Sequence, residues 1–89
     1  MEPITVALVE DDARVRERFQ RVIAAEPTLR LLHAAGTAQE LLAWFAENAV
    51  DVLLVDLGLP DMDGVEVIRH AVARHPACDV MVVTMFGDD

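Results

Sequence analysis

Short apolar runs alternate along the chain with segments that have the period of a helix. The apolar runs cover residues 4–9, 29–35, 50–55 and 80–84, and amphipathic segments cover residues 13–25, 65–75 and a stretch after Thr37. Strands that are apolar on both sides alternate with helices in parallel sheets whose two faces are covered. The chain is therefore predicted to form an α/β fold, a doubly wound parallel sheet with the strand order 2-1-3-4.

Capping and breaking residues mark the ends of the predicted helices. Thr37 and Glu40 have the spacing of a capping box, and Asp12 stands directly before the first helix, where aspartate is favoured as the N-cap. Pro27 and Pro76 follow the first and third helices, which proline cannot continue. The core side of the third helix is predicted to consist of Val65, Ile68, Ala71 and Val72.

Length and composition restrict the class of protein. The 89 residues suit a single domain, residues 1–89, and 54% hydrophobic with 26% charged residues excludes a disordered chain. The seven cationic residues are all arginine, and the net charge of −9 argues against direct nucleic-acid binding by this chain. No apolar run approaches the roughly 20 residues of a membrane span, and the single cysteine, Cys78, excludes an internal disulfide. We therefore expect a cytoplasmic domain without a membrane partner.

Acidic residues follow two of the predicted strands directly. Glu10, Asp11 and Asp12 come after the first strand, and Asp56 comes after the third. Because these two strands are neighbours in the predicted order, the carboxylates are expected to converge at the carboxyl edge of the sheet. Such a group persists where a divalent cation neutralises it, and Mg²⁺ prefers oxygen ligands of this kind. Asp12 alone is better explained as a helix N-cap.

The acidic run and the turn after the third strand resemble a known family. Residues 8–12 (LVEDD), residues 55–64 (VDLGLPDMDG) and Thr84 at the end of the fourth run look like the receiver domain of bacterial two-component response regulators. The tail at residues 84–89 is similar to the subgroup that carries a helix-turn-helix output domain further along the chain. The resemblance implies a flavodoxin-like topology and a phosphorelay function.

The resemblance implies a role for each matching position. Asp56 would be the phosphoacceptor, which takes a phosphoryl group from a sensor histidine kinase. Glu10, Asp11 and Asp56, with the backbone carbonyl of Gly58, would hold Mg²⁺, and Thr84 would give its hydroxyl to the bound phosphoryl group. The phosphorylated state would switch conformation and regulate an output domain, typically one that controls transcription. The chain would then be a signalling domain and not an enzyme.

The resemblance also implies elements beyond the fourth strand. The family continues with a helix, a strand that carries a phosphoryl-contacting lysine, and a final helix, whereas this sequence contains no lysine. We therefore expect a C-terminally incomplete receiver with an unpaired fourth strand and an uncovered sheet face. That surface predicts self-association, as a homodimer or by domain swapping. The alternative function is a phosphorylation-deficient fragment that acts only through such association.

Other motif interpretations fit less well. Aligning Gly64 with the turn glycine of a calcium-binding loop puts Leu59 at the first ligand position, which excludes an EF-hand. A haloacid-dehalogenase phosphatase would need a second acid where Gly58 stands. The three histidines have no metal-ligand spacing, and Trp44 and Phe45 are predicted to pack in the core.

Overall fold

The computed structural model describes residues 2–83 of the chain. Strands and helices alternate in this part in the order β1 (Ile4–Val9), α1 (Ala13–Ala24), β2 (Leu29–Ala35), α2 (Ala38–Phe45), β3 (Val52–Val55), α3 (Gly64–Arg74) and β4 (Asp79–Val82). The strands are all parallel and form one sheet in the order β2-β1-β3-β4. The predicted fold class and strand order are confirmed. None of the helices in residues 2–83 has the length and apolar character that crossing a membrane requires.

Strand β3 is shorter than the apolar run that predicted it. The run begins at Val50, but the strand begins at Val52 because Asp51 turns towards β1. The carboxylate of Asp51 accepts hydrogen bonds from the N–H and the hydroxyl of Thr5, each at 2.9 Å, and its own N–H donates to the Thr5 hydroxyl oxygen at 2.9 Å. This reciprocal pair joins β1 to the start of β3 at the amino edge of the sheet.

The predicted caps of the first two helices are confirmed, one of them with a variation. The side chain of Asp12 accepts hydrogen bonds from the N–H groups of Arg14 and Val15, so Asp12 is the N-cap of α1. The hydroxyl oxygen of Thr37 accepts from the N–H of Glu40 at 3.1 Å. The Glu40 carboxylate, however, accepts from the N–H of Gly36 at 3.2 Å, one residue before its usual partner.

Helices cover the two faces of the sheet unequally. On one side, which we call the α2/α3 face, α2 packs against β1 and β2, α3 packs against β3 and β4, and the two helices pack against each other. On the other side, the α1 face, α1 alone packs on the strands. The buried cluster of the α2/α3 face contains Phe45, Leu41, Leu53, Val55 and Val67, and that of the α1 face contains Val6, Leu8 and Ile23.

The core side of α3 differs from the predicted stripe. Val67 and Ala71 are fully buried, whereas Val65 and Val72 are each 47% exposed. Apolar residues cover a broad arc of this helix, so the sequence permits more than one orientation. The structure turns Val67 and Ala71 towards the sheet, and Ile68 packs at the margin of the cluster.

Candidate functional site

The alternation of side chains along β1 and β3 continues past the end of each strand. Leu8 and Leu54 lie on the α1 face, so Glu10 and Asp56, two residues further on, point to the same side. The backbone pairing also continues, because the N–H of Asp56 donates to the carbonyl of Val9 at 3.2 Å. Both acids therefore reach a small cavity at the carboxyl edge of the sheet, whose lining residues are Leu8, Val9, Glu10, Phe19, Leu54, Asp56 and Val83.

Three of the acids predicted for the site meet there. Glu10, Asp11 and Asp56 each place one carboxylate oxygen so that the three atoms lie within 4.8 Å of one another. Glu10 is buried, Asp56 is half-buried and Asp11 is exposed, so the group opens towards solvent on one side. Asp12 does not join them, because its carboxylate is bound to the first turn of α1. The predicted convergence of strand-end carboxylates is therefore confirmed.

Glu10 is the acid most affected by its surroundings. It is only 5% exposed, and this burial is the main reason why the pKa of Glu10 is raised to about 7. The negative charge of Asp56, a hydrogen bond with Asp56 and the negative charge of Asp11 raise it further. A hydrogen bond from the N–H of Asp12 to the Glu10 carboxylate, at 3.0 Å, acts in the opposite direction on that pKa. In the metal-free protein a proton on Glu10 therefore relieves part of the repulsion in the cluster near neutral pH.

An arginine that the sequence did not single out supports the backbone of the site. Arg16, in the first turns of α1, donates from Nη1 to the carbonyl oxygen of Glu10 at 2.8 Å. A side chain at position 36 would place its Cβ 3.1 Å from the same Nη1, so Gly36 leaves room for the guanidinium. Arg16 is one of four arginines on α1, and nothing in the sequence distinguishes it from the others.

The loop after β3 holds the Asp56 carboxylate in place. The N–H of Gly58 donates to Oδ1 of Asp56 at 3.0 Å, and a Cβ at position 58 would lie 3.6 Å from that oxygen. Gly64, at the end of the loop, is required for packing, because a Cβ there would come within 2.7 Å of the Cα of Leu57. A Cβ at position 58 would therefore make only an ordinary contact with Asp56, whereas Gly64 allows α3 to start against the loop.

Asp61 has a contact that sequence reasoning missed. Its two carboxylate oxygens accept hydrogen bonds from the N–H groups of Ala38 and Gln39, at the start of α2. Because these partners lie 23 and 22 residues away, no local pattern indicates the contact. The loop that carries Asp56 is thus bound to a second helix.

Two of the predicted site features stay predictions. Thr84 lies outside the residues that the structure describes, so its contact with a phosphoryl group is untested. The part assigned to the backbone carbonyl of Gly58 is likewise not tested by the contacts above.

Comparison with known proteins identifies the family of the chain. The family model of the response regulator receiver domain matches residues 6–89. A protein-glutamate methylesterase/protein-glutamine glutaminase 5 of Anaeromyxobacter dehalogenans (strain 2CP-C) is 35% identical over 83% of this chain, which spans 20% of that protein. The transcriptional regulatory protein CitT of Bacillus subtilis (strain 168) is 35% identical over 91% of this chain, which spans 36% of that protein.

Solved structures share the fold. The receiver domain protein (CheY-like) from Methanospirillum hungatei JF-1 superimposes with a TM-score of 0.86 at 25% identity, covering 98% of this chain and 68% of that one. A two-component response regulator of the LuxR family from Aurantimonas sp. SI85-9A1 gives a TM-score of 0.85 at 29% identity, covering 97% of this chain and 61% of that one. With the strand order, the acidic strand ends and the family match in agreement, the chain belongs to the response regulator receiver domain family.

Proposed function

We propose that this chain is a phosphoacceptor in two-component signalling and that Asp56 receives the phosphoryl group. The observation that carries the proposal is the meeting of Glu10, Asp11 and Asp56 at the carboxyl edge of a receiver-family sheet. Asp56 is half-buried and follows β3 directly, so the strand fixes its backbone while its carboxylate stays reachable from solvent. The phosphoryl donor is a phosphohistidine of a sensor histidine kinase.

The acceptor step needs little from the protein beyond position and charge. A carboxylate oxygen of Asp56 attacks phosphorus, the bond from phosphorus to the histidine nitrogen breaks, and the imidazole leaves as a neutral base that keeps the proton of its other ring nitrogen. The product is an acyl phosphate on Asp56. The N–H of Gly58 orients the carboxylate through its bond to Oδ1. Asp56 is consumed as a substrate in this step, so the chain acts as a signalling domain and not as an enzyme.

The donor set at the site fits Mg²⁺. Three carboxylates with oxygens within 4.8 Å of one another, open on one side, suit a hard cation that keeps several waters. Glu10, Asp11, Asp56 and the carbonyl of Gly58 would hold the ion. Bound Mg²⁺ supplies the positive charge that lets an anionic phosphoryl group approach an anionic site. Glu10 would hold the ion as an ionised carboxylate, since a bound cation would balance the negative charge of the cluster in place of a proton.

The phosphorylated state regulates an output domain. Among the related proteins, one is a transcriptional regulatory protein and another a methylesterase, and in each the matched part is a minor share of the whole. We favour transcription as the output, with Thr84 as the hydroxyl that responds to the phosphoryl group. With its net charge of −9, this chain itself does not bind DNA. We place the exchange in the cytoplasm.

A second copy of the chain is the other proposed partner. Val22 and Met81 expose 65% and 59% of their surface on and beside the α1 face. This exposed apolar surface supports self-association, and it is also the basis of the alternative function, a chain that accepts no phosphoryl group and acts by association.

Intact-mass spectrometry distinguishes the two functions. The protein is incubated with Mg²⁺ and a small phosphoryl donor, beside Asp56→Asn and a metal-free control. We expect the mass of one phosphoryl group to be added to the wild type with Mg²⁺ and to neither control. No addition to a sample shown to be folded would favour the association-only alternative, and addition to Asp56→Asn would assign the acceptor elsewhere.

A further inference from the structure

Asp61 binds the start of α2 through both of its carboxylate oxygens. Oδ1 accepts from the N–H of Ala38 and Oδ2 accepts from the N–H of Gln39, each at 2.9 Å. The next N–H, that of Glu40, is taken by the hydroxyl of Thr37. The first N–H groups of α2 are therefore satisfied by two different segments, and the larger share comes from the loop after β3.

This contact differs from the other caps in the structure. Asp12, Thr37 and Asp63 each cap the helix that follows them directly, whereas Asp61 precedes α3 and caps α2. A local cap stabilises its own helix. A cap that comes from another segment also fixes the relative position of the two segments, and here one of them carries Asp56.

The loop between Asp56 and α3 has few other anchors. Leu59 is buried among the residues of the α2/α3 face, and Met62 packs at the margin of the same cluster. The N–H of Gly58 is bound to the Asp56 carboxylate itself. In the part of the chain that the structure describes, the Asp61 contact is the hydrogen-bonded link between this loop and a helix other than α3, and it lies at the carboxyl edge of the sheet.

An ionised carboxylate is the side chain that this contact requires. The N–H groups of Ala38 and Gln39 hold the pKa of the Asp61 carboxyl below its ordinary value, so it is charged at neutral pH. Asparagine has one acceptor oxygen, and its NH₂ group would face the second N–H of the helix. Asp61→Asn therefore breaks half of the contact with almost no change of volume.

We propose that Asp61 is a positioning residue that makes the phosphoacceptor loop and the first turn of α2 move as one unit. A change of charge at Asp56 is then transmitted through residues 57–61 to the backbone of Ala38 and Gln39. The regulatory meaning of this connection rests on the proposed function, but the connection itself requires neither phosphorylation nor metal.

Amide NMR and hydrogen exchange of the metal-free protein test the connection. Asp61→Asn is compared with Asp63→Asn, which removes the same charge from the same loop but keeps a good N-cap oxygen for Val65. We expect Asp61→Asn to speed amide exchange at Ala38 and Gln39 by about tenfold and to shift the Gly58 amide resonance. Asp63→Asn should leave the exchange rates of Ala38 and Gln39 and the Gly58 amide resonance as in the wild type. Loss of protection on α2 with an unshifted Gly58 resonance would make Asp61 a helix cap only and would overturn the proposal.

A second experiment measures whether a change at Asp56 reaches the start of α2. Asp56→Asn removes the charge of the acceptor without any phosphoryl chemistry. We expect it to shift the Ala38 and Gln39 amide resonances in the wild-type and Asp63→Asn backgrounds, and not in the Asp61→Asn background. Equal shifts in all three backgrounds would contradict the proposal. Because no arm uses a phosphoryl donor, a chain that fails the mass-spectrometry test can still pass this one.

Discussion

The two faces of the sheet are packed very differently, and the acidic site belongs to the less packed one. On the α2/α3 face two helices bury a continuous cluster that contains Phe45 and Leu53. On the α1 face one helix covers the strands, and Val22 remains exposed. Glu10 and Asp56 extend the α1 face at the carboxyl edge of the sheet. We therefore expect the α2/α3 face to supply most of the stability, whereas the charged groups of the site extend the α1 face.

The largest expected effect is a loss of stability, and two neighbouring residues of β3 allow it to be compared between the two faces. Leu53 is fully buried on the α2/α3 face, and its neighbour Leu54 is half-buried on the α1 face. We expect Leu53→Ala to lower the free energy of unfolding by about 3 to 4 kcal/mol and Leu54→Ala by about 1 to 2 kcal/mol. Urea unfolding followed by circular dichroism measures both. Equal losses would show that the α1 face contributes as much as the α2/α3 face.

The next effect is a pH dependence of the protein's stability that arises from Glu10 on the α1 face. The pKa of Glu10 is about 7 in the folded protein, above its ordinary value of 4.5, so the folded state binds more protons between these values. The metal-free wild type should therefore lose up to about 3 kcal/mol of stability as the pH rises from 4.5 to above 7. Glu10→Gln should lack this loss, and Mg²⁺ should reduce it because the ion stabilises ionised Glu10.

Unfolding in urea at pH 5, 6, 7 and 8, with a chelator and then with Mg²⁺, measures this dependence. The depressed pKa values of Asp12, Asp51 and Asp61 do not interfere, since their contributions are lost only at more acidic pH. A wild type with the same pH profile as Glu10→Gln would show that Glu10 is ionised in the folded protein throughout.

A smaller effect tests whether α1 shields the site. Phe19 is half-buried and lines the cavity that Glu10 and Asp56 reach. We expect Phe19→Ala to cost about 2 kcal/mol, less than a fully buried phenylalanine, and to weaken the pH dependence because water then reaches Glu10. The unfolding series across pH measures both quantities. Full retention of the pH dependence would assign the burial of Glu10 to the strands alone.

The smallest effect on stability is expected on the exposed apolar surface. Val22→Ser with Met81→Ser should change the free energy of unfolding by less than about 0.5 kcal/mol, since both residues are mainly exposed. The same double variant should abolish the concentration-dependent association that we expect for the wild type in sedimentation velocity. A wild type that stays monomeric at all concentrations would exclude a second copy as the partner of this surface.

Much of this architecture was predictable because it is encoded locally. Apolar runs and helical period lie within single segments, and β1 and β2 have the predicted bounds. Asp12 caps α1 through bonds to N–H groups two and three residues further on, which the sequence displays directly. The convergence of Glu10, Asp11 and Asp56 followed from one further assumption, that the first and third strands are neighbours.

The boundaries and orientations were less predictable, because they depend on contacts between segments. Strand β3 begins late because Asp51 bonds to Thr5, 46 residues away. Val65 and Val72 fit the core stripe of α3 as well as Val67 does, and only the placement of the helix over the sheet decides which residues are buried.

The sequence by itself determined where strands and helices alternate along the chain, the caps that directly precede the helices and the acids at the strand ends. Each of these features depends on residues close together in the chain. The tertiary structure alone decided how deeply Glu10 is buried, that Arg16 supports its carbonyl, and that Asp61 binds α2. These features depend on distances between segments, which no local pattern of side chains can specify.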